Sequence, residues 1–356
     1  MADTSGSQPG LERALALPAH HYRGDASLDL DYARVFAQGW QLLARQSQLA
    51  GAGDHVVATV GRTPVLLVRG EDDVLRAFAN VCRHRAGPLA LEDGRGARAL
   101  RCRYHGWTYG LDGCLRRAPE MADAEDFQPD EIRLPAFRAD SWQGLVFVSL
   151  DPGAPALGDV LAGIAERIAP IDLASMEFAW QDVYTVACNW KVYVDNYLEG
   201  YHLPYVHPGL SRVLDYRAYH TELSRWHSLQ HSPLRANEGI YGDGDAFYYF
   251  VYPNLMLNIM PGRLQVNRVL PDGPDRCRVE FDYYYAADEV ARARMARDRE
   301  FSEEIQQEDI AICEAVQRGL ASGCYDAGRL CPRRESGVWH FQELLRQAYA
   351  GAVPAR

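Results

Sequence analysis

Cys82-Arg83-His84 and, further along, Cys102-Arg103-Tyr104-His105 decide how this chain is read. One Cys-x-His pair and one Cys-x-x-His pair can hold one iron through two thiolates and the other through two imidazoles, the mixed ligation of one class of [2Fe–2S] centre. Replacing two thiolates by two neutral imidazoles removes negative charge from a cluster and raises its potential. The alternative is tetrahedral zinc, which also takes Cys₂His₂ sets at short spacing. Zinc fingers usually keep their two cysteines together and their two histidines together, whereas each loop here carries one of each. Both loops end in turn formers, Ala86-Gly87-Pro88 and His105-Gly106, and open backbone there can aim N–H groups at sulfides. Tyr104 could add a hydroxyl. The reading is a one-electron relay.

A length of 356 residues suits two domains, since about 100 to 200 residues per domain is usual. Charged residues make up 24% and the formal net charge is −11, which argues against nucleic acid or an anionic membrane as a partner. No run of about eighteen apolar residues is present, so no membrane span is expected. Met1 to Gly10 lacks the basic-then-apolar pattern of a secretory signal, and a cytoplasmic location is expected. Of the eight cysteines, Cys114, Cys188, Cys277, Cys313, Cys324 and Cys331 show no framework spacing and are expected to be free thiols. Cys114 lies close enough to Cys102 to be mistaken for a ligand.

Outward from the cysteine loops, residues 11 to 38 read as largely helical. Short β runs follow at Val56-Val-Ala-Thr-Val, Pro64-Val-Leu-Leu-Val-Arg, Leu75-Arg-Ala-Phe-Ala-Asn-Val and Gly144-Leu-Val-Phe-Val-Ser-Leu, punctuated by Gly61-Arg62 and Gly70-Glu-Asp-Asp73. A small antiparallel β domain is expected, with the cysteine loops projecting from strand ends. Residues 156 to 169 look helical. Strands are expected at 182–188, 248–252, 255–260, 263–270 and 277–285, then a long helix, so the second half reads as α+β with helices across an antiparallel sheet.

Asp195, Glu199 and His202 fall at i, i+4 and i+7, which would put two carboxylates and an imidazole on one helix face. Pro204 would break that helix and leave His207 free to return beside His202. Two imidazoles and one carboxylate form a facial triad with open positions for O₂ on Fe(II). The candidate carboxylate is Asp309, which falls in an apolar stripe formed by Phe301, Ile305, Ile312, Val316 and Leu320; Glu308 at its edge is the alternative. A buried carboxylate needs a cation or other partner.

Cys82-x-His84, Cys102-x-x-His105 with Gly106-Trp107 and Gly110-x-Asp112-Gly113, Asn189-Trp-Lys, Asp195-Asn196, Glu199-x-x-His202-x₄-His207 and Glu308-Asp309 together resemble the Rieske non-haem iron oxygenases over nearly the whole chain. The resemblance implies a cluster held by Cys82, His84, Cys102 and His105, and a mononuclear iron held by His202, His207 and Asp309. Glu199, with Asn196 beside it, would stand where a carboxylate bridges a cluster histidine to an iron histidine; most relatives have Asp there. It implies an N-terminal segment over 1–38, a Rieske domain over 39–152 and a helix-grip, START-like catalytic domain over 153–356. Family members form trimers or larger rings in which one subunit's cluster feeds its neighbour's iron. A separate reductase or ferredoxin would supply electrons, because no Gly-x-Gly-x-x-Gly fingerprint is present. The sequence from Tyr252-Pro253-Asn254 through Asp282-Tyr283 resembles the choline, glycine-betaine and carnitine branch; the aromatic segment Tyr248–Asn267, Tyr283-Tyr284-Tyr285, and Tyr193, Tyr197, Tyr201 and Tyr205 could cage a quaternary ammonium group or stack on an arene. The expected reaction is hydroxylation of a small organic molecule with O₂, leading to N-demethylation or C–N cleavage. Arene dihydroxylation and a non-catalytic electron carrier are the alternatives.

Overall fold

The computed structural model describes residues 10–234 and 241–351; the first nine residues of the expected N-terminal segment and the last five of the chain lie outside them. The chain divides into two compact units, one of residues 36–158 and one of 1–35 with 159–356.

The first unit holds nine strands: β1 Gln41–Arg45, β2 His55–Val60, β3 Thr63–Arg69, β4 Leu75–Ala79, β5 Leu100–Arg101, β6 Thr108–Tyr109, β7 Leu115–Arg117, β8 Ala136–Trp142 and β9 Leu145–Ser149. Six form one sheet in the order β1-β9-β8-β4-β3-β2, and β5-β6-β7 form a small second sheet. Alternation along β3 explains why both faces of the large sheet are dry. Val65 and Leu67 pack with Ala44, Leu49 and Val148 on one side, whereas Leu66 and Val68 pack with Cys82, Cys102, Trp107 and Tyr109 on the other. The cysteine loops therefore sit over a hydrophobic floor. The expected strands at 56–60, 64–69, 75–81 and 144–150 are present within a residue or two.

The second unit holds α1 Asp25–Asp31, α2 Leu157–Val160, α3 Ile164–Ile168, β10 Glu177–Val186, α4 Trp190–Tyr197, α5 Leu203–Val206, α6 Leu210–Val213, β11 His220–Leu223, β12 His227–Pro233, β13 Asp245–Val251, β14 Leu255–Met260, β15 Arg263–Pro271, β16 Cys277–Tyr285, α7 Glu289–Ala321 and α8 Ser336–Tyr349. Its seven strands make one antiparallel sheet in the order β10-β16-β15-β14-β13-β12-β11, and α7, at 33 residues, packs against it. The fold is mixed α+β, as expected. Among the described residues no helix is long and apolar enough to cross a membrane.

Two expected helices are shorter than their patterns suggested. Over 11–38 the chain makes separate turns at Leu11–Arg13 and Ala19–Tyr22, then α1 running into a wider-wound turn over Tyr32–Phe36. Pro18 and Gly24 cap the second turn and α1 in extended or positive-φ conformations, which forbids one continuous helix. The helix expected over 156–169 is cut in two by Gly163, at φ +82°.

A buried polar hub fastens the N-terminal segment inside this unit. Asp31 accepts hydrogen bonds from Trp190 Nε1 at 2.8 Å and Tyr349 Oη at 2.5 Å, and pairs with Lys191 Nζ. Asp31 and Lys191 are both fully buried, so the ion pair joins α1 to α4 away from water.

Candidate functional site

The two cysteine loops repeat one backbone pattern. Cys82 N donates to Gly87 O and Ala86 N to Cys82 O; Cys102 N donates to Trp107 O and Gly106 N to Cys102 O. Ala86 and Gly106, at matching places, have φ of +57° and +75°. Only a strongly specified turn holds alanine in the left-handed region. The buried Asn80 staples the first loop, its Oδ1 accepting from Leu89 N and Ala90 N and its Nδ2 donating to Ala90 O.

Cys82 and Cys102 are buried and free. The His84 and His105 rings meet edge to face at 4.6 Å, and His84 stacks on Trp107 at 4.9 Å. Three observations fit an inorganic cluster here. His84 Nδ1 is buried with no partner among the described residues. A Cβ on Gly87 would lie 2.9 Å from Cys102 Sγ, so the loops close tightly around the sulfur. Tyr109 Oη lies 3.3 Å from Cys82 Sγ and accepts from Arg83 N. The hydroxyl facing the thiols thus belongs to Tyr109, whereas Tyr104 is 57% exposed. Cys114 lies apart, held by Arg133 Nη1 at 2.6 Å and by pairing with Arg133.

In the second unit, ligand atoms of His202, His207 and Asp309 lie within 4.8 Å of one another. The route differs from the one the sequence suggested. α4 ends at Tyr197, so Asp195, Glu199 and His202 share no helix face. Asp195 turns the other way and accepts from Tyr22 Oη and Gln342 Nε2. Pro204 opens α5 instead of breaking a longer helix, since its missing N–H is no loss in a first turn. His202 and His207 are then the N-cap and C-cap of α5, their rings 5.0 Å apart.

Carboxylates fix both imidazoles. Glu199 Oε1 lies 2.7 Å from His202 Nδ1, and its other oxygen accepts from the backbone N–H groups of Tyr201 and His202. Glu308 Oε2 lies 2.7 Å from His207 Nδ1, leaving Nε2 facing Asp309 Oδ1 at 3.0 Å. Glu308 is therefore on the far side of the ring from the converging atoms, and Asp309 is the carboxylate that meets them. Asn196 Nδ2 donates to Asp309 Oδ1 at 2.6 Å. Burial opposes protonation of His207, but Asp309 and Glu308 outweigh it and raise its pKa. Two imidazoles and a carboxylate converging with their far nitrogens already engaged suit a divalent iron.

A cavity of about 110 Å³ opens above these residues. Cross-strand register builds its floor: Tyr248, Asn258 and Gln265 form one row and Met260 with Arg263 the next. From α7 the cavity is lined by Phe301, Ser302, Ile305, Gln306 and Asp309. Part of the expected stripe therefore faces inward, with Phe301 and Ile305 at the cavity and Leu320 buried beyond it, whereas Val316 is 45% exposed. Ser302 and Gln306 share that side, so the inward face is mixed and not purely apolar. Tyr193, Tyr197 and Tyr248 line the cavity; Tyr201 and Tyr205 are exposed, and Tyr284 packs against Phe178. Sequence reasoning missed Arg263, Tyr219, Gln230, Tyr241 and Gln306. The i, i+4, i+8, i+11 recurrence of Asp298, Ser302, Gln306 and Asp309 is the signal that carried part of it.

Comparison with known proteins agrees. Residues 39–136 match the Rieske [2Fe-2S] domain family and 173–351 the ring hydroxylating alpha subunit (catalytic domain) family. The chloroplastic choline monooxygenase of Arabidopsis thaliana is 35% identical over 94% of this chain and 83% of its own length. The carnitine monooxygenase oxygenase subunit of Escherichia coli K12 is 31% identical over 95% of both. A solved quaternary ammonium Rieske monooxygenase, described for carnitine oxidation and inter-subunit electron transfer, superposes with a TM-score of 0.85 at 28% identity, covering 94% of this chain and 96% of that one. With cysteine loops shaped for a [2Fe–2S] cluster and a two-histidine, one-carboxylate iron site, this chain belongs to the Rieske non-haem iron oxygenases as an oxygenase component, an oxidoreductase that uses O₂.

Proposed function

We propose that the chain hydroxylates a quaternary ammonium compound next to its nitrogen, with N-demethylation or C–N cleavage as the outcome. The observation that carries this is the cavity itself: His202, His207 and Asp309 converge beneath a lining rich in tyrosine, and aromatic faces attract an onium group that cannot donate hydrogen bonds. The buried amides and hydroxyls of the same lining disfavour a bare hydrocarbon ring, which would leave them unpaired.

Cys82, His84, Cys102 and His105 hold the cluster, and His202, His207 and Asp309 the iron. When bound, these groups supply single electrons and O₂ activation, which together convert a substrate C–H into C–OH with reduction of the second oxygen atom to water. The chain's own residues prepare that chemistry. Glu199 and Glu308 each accept from the Nδ1–H of one imidazole, so both rings present Nε2. Asn196 is a positioning residue that holds Asp309. Tyr193 and Tyr197 turn the onium end and exclude water. After hydroxylation at a carbon on nitrogen, loss of the hydroxyl proton forms a carbonyl and the C–N electron pair leaves with the amine.

Residues 39–152 serve electron entry, and 153–356 with the 1–38 segment serve the reaction. Electrons come from a separate reductase or ferredoxin. A ring of three copies, in which one subunit's His84 and His105 edge docks beside its neighbour's Glu199, accounts for the exposed Tyr104, Tyr201 and Tyr205 near those groups. A cytoplasmic location fits a protein that needs a reduced donor.

The test is reconstitution with a Rieske-oxygenase reductase, NADH and a panel of betaines, choline and arenes. Aldehyde release from a quaternary ammonium compound is expected. Arene diols alone, or robust turnover with NADH and no reductase, would overturn the reading. An electron carrier without a second metal would leave His202, His207 and Asp309 with no reason to converge.

A further inference from the structure

Arg263 is the one arginine or lysine that lines the cavity among the described residues. It opens β15 and is 4% exposed. Its Nε donates to Asp298 Oδ2 at 2.6 Å and its Nη2 to Gln265 Oε1 at 3.0 Å, and the guanidinium lies 5.5 Å from the Tyr241 ring centre and 5.7 Å from that of Tyr283. Asp298 keeps this guanidinium ionised in spite of burial, but it stands behind the wall and does not line the cavity. Asp298 is itself satisfied by the hydroxyls of Tyr241 and Tyr285. The pair therefore shows the cavity its positive half.

Three buried polar atoms in the same lining have no partner among the described residues: Tyr248 Oη, Gln306 Nε2 and Asn267 Oδ1. Gln306 spends its Oε1 on Tyr193 Oη, which leaves its NH₂ group unused. Tyr248 and Arg263 stand on adjacent rows of one sheet face, through Asn258 and Gln265. Half a turn of the Asn267 amide would present a donor there too. Buried polar groups in folded proteins are nearly always paired, so unpaired donors beside a cavity mark where a ligand's acceptor belongs.

We propose that Arg263, Tyr248 and Gln306 form an anion subsite that binds a carboxylate on the substrate. This rests on the quaternary ammonium reading above and narrows it to zwitterions: the onium carbon reaches the iron while a carboxylate at the other end meets the guanidinium. A substrate that is only a cation brings like charge towards Arg263 and leaves all three donors unpaired.

The experiment is calorimetric binding to the iron-loaded protein under anaerobic conditions without reductase, comparing L-carnitine and γ-butyrobetaine with choline. The carboxylated compounds should bind roughly tenfold or more tightly, as for charge-assisted hydrogen bonds. Arg263→Met should remove that preference while leaving choline binding unchanged or stronger. Tyr248→Phe, which removes one hydroxyl and is expected to fold, should weaken only the carboxylated ligands. Equal affinities for all three compounds, or variants that weaken all by one factor, would show that Arg263 merely ties β15 to α7 and would sink this inference alone. No binding of any of them would sink the quaternary ammonium reading with it.

Discussion

Glu308 touches no converging ligand atom, yet its removal should loosen iron. Its carboxylate sits 2.7 Å from His207 Nδ1, with the glutamate side chain 28% exposed and the imidazole 2%. In that half-dry setting the carboxylate does two things: it fixes the tautomer that frees Nε2, and it makes the imidazole a stronger donor to a cation. Glu308→Gln keeps the length but loses the charge, and the loss of such partners typically costs 10- to 100-fold in metal affinity, about 1.4 to 2.8 kcal/mol. Glu308→Ala should cost at least as much, because the ring can then rotate. The assay is ferrous retention against a graded chelator, with the visible absorption of the cluster as an internal reference in the same cuvette. Mononuclear iron should be lost at lower chelator concentration while the cluster band stays. Unchanged retention in both variants would refute the reasoning, and so would loss of cluster and iron in parallel.

Other perturbations test separate parts of the account. Gly87→Ala would put a methyl group 2.9 Å from Cys102 Sγ and 3.2 Å from Tyr104 Cβ; cluster absorption should fall with the mononuclear iron retained, and a full cluster band would contradict the close packing. Asp31→Ala leaves Lys191 buried without its counter-ion, with Trp190 and Tyr349 short of an acceptor. Denaturant unfolding should show a loss of about 3 to 5 kcal/mol, as for broken buried pairs, largely recovered by adding Lys191→Met; a loss under about 1 kcal/mol would speak against the hub. Burial, only partly offset by hydrogen bonds from Tyr22 and Gln342, pushes the Asp195 carboxyl up to about 7. The folded chain then holds a proton that the unfolded chain releases near pH 4. The group's stabilisation is fully present below that pH and is lost as pH rises through 7, ~4 kcal/mol at three units of difference. Asp195→Asn should flatten that part of the stability profile between pH 4 and 8, and parallel profiles would count against it.

Nine strands were legible because β-branched runs bounded by turns carry their own period, and the Cys-x-His loops because ligand spacing is local chemistry; β1, β5 to β8, β11 and β12 carry no such run and were not legible. What the sequence hid was direction. Asp195 and Glu199 are four residues apart and look like neighbours on a helix, but α4 stops at Tyr197 and sends them to different places. The stripe on α7 was legible only in part: Phe301, Ile305 and Asp309 face the cavity and Leu320 is buried, but Val316 is exposed and the polar Ser302 and Gln306 share the inward side. Arg263 is silent in the sequence for a related reason: a lone arginine at a strand start gives no sign that Asp298, on another element, has already compensated its burial.

The most direct test of two distinct iron sites in one polypeptide is a metal count with a visible spectrum on purified wild-type protein and on His202→Ala. The account predicts about three irons per chain in the wild type and about two in the variant, with the cluster's absorption unchanged. A colourless protein holding zinc, or a wild type with only the two cluster irons, would contradict it.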